Sequence, residues 1–198
     1  MKSKISRISQ WLLIALLISI FAGSISALFL ERLSAATQIR INNSIFVYLL
    51  PVGGLLIGLM YYFEAKGVEG GNDYLIREMH APKKPIHWKI IPLVFIGTIA
   101  THLFGGSAGR EGTAVQMGGA VGDAITHFFD WTKKHRKRLL RMGVAAGFAG
   151  VFGTPIAGAI FAFELARDKK LKISDSFWVL LSSFGGHLFC IVWGVHHT

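Results

Sequence analysis

The chain has 198 residues, 52% of them hydrophobic and only 16% charged, with a formal net charge of +10 and a mean hydropathy of +0.49. Soluble domains carry nearer a quarter charged residues, so this composition, with its 23 glycines and 15 phenylalanines, points to a membrane protein. The cations fall in short runs between apolar segments (MKSKISR, KKHRKRLLR at 133–141 and RDKKLK at 167–172), which sets aside a nucleic-acid partner and matches the Lys/Arg excess of cytoplasmic loops.

Residues 1–10 read as a basic cytoplasmic segment and 11–198 as one transmembrane unit. WLLIALLISIFAGSISALFL (11–30) matches the roughly 20 residues needed to cross a bilayer. It is too long for the core of a cleaved leader, so it reads as a retained helix. That puts the chain in the inner (plasma) membrane with its N-terminus in the cytoplasm. A second crossing is IFVYLLPVGGLLIGLMYYF (45–63), where Pro51 and Gly53-Gly54 offer a kink. Residues 64–89 are polar and hold at most a short helix around 73–80.

IIPLVFIGTIATHLF (90–104) and GTAVQMGGAVGDAITHFF (112–129) are apolar but short for a crossing, and GGSAGREG lies between them. MGVAAGFAGVFGTPIAGAIFAFELA (142–166) is long enough, yet Gly153-Thr154-Pro155 breaks it near the middle. FWVLLSSFGGHLFCIVWGV (177–195) is the last span. The fold expected is all-α and multi-pass, with broken half-helices. Non-helical backbone at membrane depth survives only where protein buries it or a polar cavity receives it, and broken helices aimed at the membrane middle occur in ion transporters. Kinked helices packed through Gly54/Gly58, Gly118/Gly122 and Gly143/Gly147 are the plainer alternative; three clustered breaks favour the transporter.

A helix N-terminus offers free N–H groups and the positive end of its dipole to an anion. Three such ends are expected here. One follows Gly70-Gly71, with Asn72 as a cap or an amide donor. Another follows Gly109, with Arg110, Glu111 and Gly112 in its first turn. The third follows Gly153-Thr154, with Pro155 suited to the first helical position. If they converge, they form a polar pocket for a transported anion. Glu111 then has two possible roles. It stabilises a helix start, worth about 0.3–1 kcal/mol, or it is a titratable occupant of the anion site that leaves on protonation. An ionisable residue inside a membrane favours the second role. Arg110 reads as structural support, balancing an acid or reaching the interface.

Other residues carry plainer readings. Cys190, the sole cysteine, is a packing residue and excludes an intrachain disulfide. His102 and His127 read as packing or interface residues, not metal ligands, and His196-His197 as a frayed tail. Glu164 reads as interfacial, and Phe148, Phe152, Phe161 and Phe163 as facing lipid or a pore. The Gly-rich run lacks both phosphate-loop spacings. No metal, cofactor or enzymatic arrangement is expected.

Gly109-Arg110-Glu111-Gly112, with Thr154-Pro155-Ile156-Ala157-Gly158 and Phe163-Glu164, resembles the CLC family of chloride channels and anion/proton antiporters. The family's glutamate motif is mostly followed by proline, and its first anion motif in the chloride branch is Gly-Ser-Gly-Ile-Pro. Here Thr113 and Gly71-Asn72-Asp73-Tyr74-Leu75 are more similar to the fluoride-exporting branch. The resemblance implies fluoride/proton antiport, with a chloride channel or chloride/proton antiporter as the alternative. It implies Glu111 as the gating, proton-carrying glutamate, Asn72 as an anion-site residue, and Phe152 and Thr154 as pore-lining. Leu165 stands where chloride exchangers often carry an internal glutamate. Asp73 is expected to be protonated or turned away from the anion. The resemblance covers the first of two inverted halves, which implies a truncated or split protein needing its second half, a homodimeric assembly, and, as a further reading, an assembly-dependent or nonfunctional fragment.

Overall fold

The structure, a computed structural model, describes residues 2–64, 70–166 and 173–195, with only the backbone described at 2–6 and 173. The basic run 167–172 and His196-His197 lie outside the described residues. Those described form helices α1 (Lys2–Asn42), α2 (Ile45–Tyr48), α3 (Leu50–Glu64), α4 (Gly71–His80), α5 (Ile90–Leu103), α6 (Arg110–Phe128), α7 (Arg136–Phe152), α8 (Pro155–Ala166) and α9 (Ile173–Val192), with a 3-10 segment at Asp130–His135. No strand occurs among the described residues.

Among the described residues, two stretches are long and apolar enough to cross a membrane, Arg7–Asn42 and Ser174–Val192, and three shorter apolar helices accompany them, α3, α5 and α8. α1 runs well past the expected 11–30. At 1.5 Å per residue its 41 residues reach about 60 Å, twice a hydrocarbon core. The second expected crossing is broken earlier than predicted. The helix ends at Leu49, so Pro51 sits in the first turn of α3 instead of kinking its middle.

Small residues let the helices approach closely. α6 and α7 cross at Gly118, Gly122, Gly143 and Gly147; a Cβ on any of them would run into the backbone of the facing helix, as at Gly147, 2.7 Å from the Ala114 carbonyl. α1 crosses α9 the same way at Gly23, whose Cβ would meet the Gly186 carbonyl, while a Cβ on Gly186 would meet the Ala146 backbone of α7; the Ser26 hydroxyl donates to the Gly147 carbonyl of α7 at 3.2 Å. The third expected pair behaves differently. A Cβ on Gly54 or Gly58 would meet nothing within 4 Å, so these two glycines mediate no packing among the described residues.

The run 133–141 is not a solvated loop. Its second half opens α7, where Leu139, Leu140 and Arg141 are buried. Arg138 pairs with Asp175 of α9, and its guanidinium lies 4.4 Å over the Trp11 ring. Trp11 also stacks against Trp178 and meets Trp131 and His135 edge-on. Trp11 of α1 and Trp178 of α9 are thereby joined to the start of α7 by aromatic and cationic contacts at one end of the bundle.

Candidate functional site

Each sequence break is a real interruption. Gly70, at φ 104°, precedes α4, and Gly153, at φ 71°, ends α7 in the left-handed conformation that residues with a Cβ rarely adopt. Pro155 follows as the first residue of α8. The turn after α5 is held by the Gly106 N–H donating to the Thr101 carbonyl at 2.8 Å. His102 Nε2, assigned as the donor, bonds the Ala108 carbonyl at 3.0 Å. His102 is thus a local loop anchor, in line with the packing role expected of it.

Two of the three helix starts come together. Asn72 is the second residue of α4; Gly70 is the cap, and no side chain bonds there. Its carboxamide instead faces the first turn of α6, with Nδ2 2.7 Å from where a Cβ on Gly112 would stand. The Gln116 amide nitrogen lies 3.7 Å from the Cβ position of Gly71. Between these helices is a cavity of about 460 Å³ whose wall includes Gly71, Gly109, Gly112, Thr113, Thr98 and Tyr61. Thr113 is 4% exposed. Its hydroxyl lies 2.7 Å from that of Thr98 and 3.2 Å from the Gly109 carbonyl, so it holds the start of α6.

Glu111 is exposed in the first turn of α6, and no hydrogen bond or ion pair joins it to another described side chain. Arg110 is exposed as well. It lines a cavity of about 780 Å³ with Glu31 and Gln38 of α1 and with Phe152 and Trp193. The third break therefore meets the α6 start across this cavity, through Phe152. Thr154 is exposed and its carbonyl accepts the Gly158 N–H; no described contact joins it to Asn72 or Glu111.

Phe152 packs on Phe148, with ring centroids 4.6 Å apart, and Phe148 stacks on Phe161 at 4.7 Å. These rings are partly buried and packed against the core. Phe161 reaches a further cavity shared with Asp73, Arg77 and Glu164. Asp73 thus faces α8, away from the Asn72–Gly112 contact.

The sequence reading missed a buried ionic cluster at the other end of α4 and α6. Arg136 of α7 donates through Nε to Asp123 of α6, through a terminal nitrogen to Glu78 of α4 at 2.8 Å, and through the other to the Lys84 carbonyl at 2.7 Å. Asp123 Oδ2 accepts the Ile86 N–H at 2.6 Å, and Glu78 accepts the N–H groups of Lys83 and Lys84. The Asp123 side chain is 0% exposed and that of Glu78 6%. Burial works against ionisation of Glu78, but the Arg136 guanidinium and the two amides outweigh it and hold its carboxyl below the usual glutamate value. The signal was present in the sequence, since Asp123 is an acid inside the glycine-rich apolar run GGAVGDAITHFF.

Residues 53–198 match the family model described as voltage gated chloride channel. The chain belongs to this family. It is 44% identical to a chloride/fluoride channel protein of Pseudomonas syringae over 96% of this chain and 42% of that one. It is 29% identical to the H(+)/Cl(-) exchange transporter ClcA of Vibrio cholerae, over 80% of this chain and 37% of the other. The crystal structure of a CLC-type fluoride/proton antiporter superposes with a TM-score of 0.90 at 30% identity, covering 96% of this chain and 48% of that one. A slow cyanobacterial Cl-/H+ antiporter shares the fold, with a TM-score of 0.76 at 22% identity. The chain spans less than half the length of these relatives. Membership makes it a membrane protein of a transporter family, with the helical fold expected from its breaks.

Proposed function

We propose that this chain carries one wall of an anion/proton antiport pathway, with fluoride as the anion. The observation that carries the reading is the Asn72 carboxamide against Gly112, beside Glu111, where two helix N-termini meet at one cavity. Amide donors and dipole ends attract an anion without a full fixed charge, so it can enter and leave. Asn72 and the backbone of Gly109 and Gly112 supply these donors. Thr113 holds the α6 start, and Arg110 adds positive potential from its own cavity. Phe152 and Thr154 line the approach from the third break.

Glu111, exposed in the first turn of α6, is assigned the gate. As a carboxylate it occupies the positive helix end; protonated, it loses that attraction and yields to the anion. The similarity to a chloride/fluoride channel protein and a fluoride/proton antiporter supports fluoride. That antiporter has about twice as much chain, and the counterpart of its remaining half is assigned the facing wall. In sequence, Arg7 lies one turn before Trp11, and Lys133, Lys134 and Lys137 follow Trp131 within two turns; Trp11 and Trp131 meet at one end of the bundle, which supports a cytoplasmic N-terminus in the plasma membrane by the positive-inside rule.

The test is efflux from liposomes holding this chain assembled with the half that supplies the facing wall, read with fluoride- and chloride-selective electrodes and a pH electrode. Fluoride efflux with opposed proton movement is expected. Chloride efflux as fast as fluoride efflux would move the assignment to the chloride reading, which the Vibrio exchangers represent.

A further inference from the structure

Asn72 and Gly112 stand at one end of α4 and α6; Glu78 and Asp123 stand further along the same two helices, and Arg136 bridges them. Two helices that touch at both places have their separation and tilt fixed. α4 has little else to hold it. It has ten residues, no side-chain cap, and three buried side chains, Leu75, Glu78 and Met79. A helix this short is not stable alone, so its position is set by what it packs on. Leu75 rests on Gly119 of α6, 2.6 Å from its Cβ position. The Tyr74 hydroxyl reaches the Pro85 carbonyl at 3.1 Å.

We propose that Arg136 is a positioning residue for the anion site: by binding Glu78 and Asp123 together it sets the spacing of α4 and α6, and so seats Asn72 against Gly112. What that spacing is used for rests on the functional reading above; the spacing itself does not. Arginine suits the task because its planar fork serves Asp123, Glu78 and the Lys84 carbonyl at once, where lysine offers one charged nitrogen. The carboxylate oxygens have further partners in the N–H groups of Lys83, Lys84 and Ile86, and His127 lies 3.8 Å from Asp123 Oδ2. Removing the cation leaves two buried acids facing each other, which α4 relieves only by moving.

The test combines amide hydrogen exchange on the reconstituted full chain with fluoride efflux after its assembly with the half that supplies the facing wall, comparing Arg136→Gln, Arg136→Lys and, as a control on the same helix, Leu139→Ala. Leu139 is fully buried, its backbone carbonyl lies against Gly122, and its apolar side chain takes no part in the hydrogen bonds and ion pairs of the clamp. With Arg136→Gln, exchange at residues 71–76 and 110–113 should rise about tenfold, and the fluoride concentration for half-maximal efflux should rise about tenfold with a smaller change in maximal rate. Arg136→Lys should recover only part of both. Increases confined to residues 83–90 and 130–140, or an equal rise at 71–76 in Leu139→Ala, would overturn the proposal. If Arg136→Gln does not fold, Asp123→Asn must show the same exchange pattern in milder form, and its failure to do so is equally decisive. A parent protein without fluoride efflux would sink the functional reading while the exchange pattern still decides the clamp.

Discussion

The carboxamide nitrogen of Asn72 lies 2.7 Å from the position a Cβ on Gly112 would take, so the two residues compete for one volume. Gly112→Ala should push the Asn72 side chain aside. The cost in stability is small, under about 1 kcal/mol, because the displaced group is the end of a flexible side chain. Fluoride efflux should nevertheless fall about tenfold, since the donor has left its position. The double variant Asn72→Gly/Gly112→Ala should be no slower than Asn72→Gly alone. Initial efflux rates of the four proteins check this; independent, additive losses would mean that the two residues do not act as a unit.

Glu111 and Arg110 are neighbours in sequence, yet the proposed pathway gives them different tasks. Glu111→Gln keeps the shape and removes the titratable group, so proton movement accompanying fluoride efflux should drop at least tenfold, to the level of empty liposomes, an effect of about 1.4 kcal/mol or more. Arg110→Gln removes a charge from the cavity shared with Glu31. It should keep proton coupling and change the rate by no more than about fivefold, the equivalent of about 1 kcal/mol. Simultaneous pH and fluoride recordings separate the two. Unchanged coupling in Glu111→Gln would remove Glu111 from the gate.

Much of this arrangement was legible in the sequence because backbone chemistry fixed it locally. Gly70-Gly71, Gly109 and Gly153-Thr154-Pro155 mark helix ends on their own, and α4, α6 and α8 start where those signals stand. The position of Asn72 was readable, its contact was not: a cap bonds its own helix, while this amide faces another one. The basic run at 133–141 misled because charge density alone does not tell a solvated loop from a helix whose arginines meet acids remote in sequence. Arg136 finds Glu78 58 residues away, and nothing in either local pattern announces the other. Gly54 and Gly58 show the converse failure. Small residues at helical spacing permit close packing, but do not supply the partner helix.

The glycine crossings yield a paired prediction. A Cβ on Gly143 would collide with the Gly118 carbonyl, whereas one on Gly58 would meet open space. Gly143→Ala should cost about 1–3 kcal/mol through overpacking of α6 on α7. Gly58→Ala should fall within about 0.5 kcal/mol of the parent. For a chain of this size that is a drop in Tm of about 3–10 °C against almost none, read by thermal denaturation in one detergent. Equal Tm values for the two variants would contradict the close crossing.

The clamp also predicts a pH dependence with a definite sign. The Glu78 carboxyl lies below its ordinary value of 4.5 when folded, burial being outweighed by Arg136 and the Lys83 and Lys84 amides. A depressed folded value means that the contribution is complete above the unfolded pKa and is lost as pH falls through the folded one. The parent should therefore hold a constant stability advantage over Glu78→Gln from neutral pH down to about pH 5. Below 4.5 the two Tm curves should converge, as protonation of Glu78 makes the parent resemble the variant. Asp123 shares Arg136 with Glu78, so the comparison is repeated in an Asp123→Asn background. There the convergence should persist if Glu78 is its source. Curves that stay parallel through pH 3–5 would show that Glu78 enters no charged pair in the folded protein.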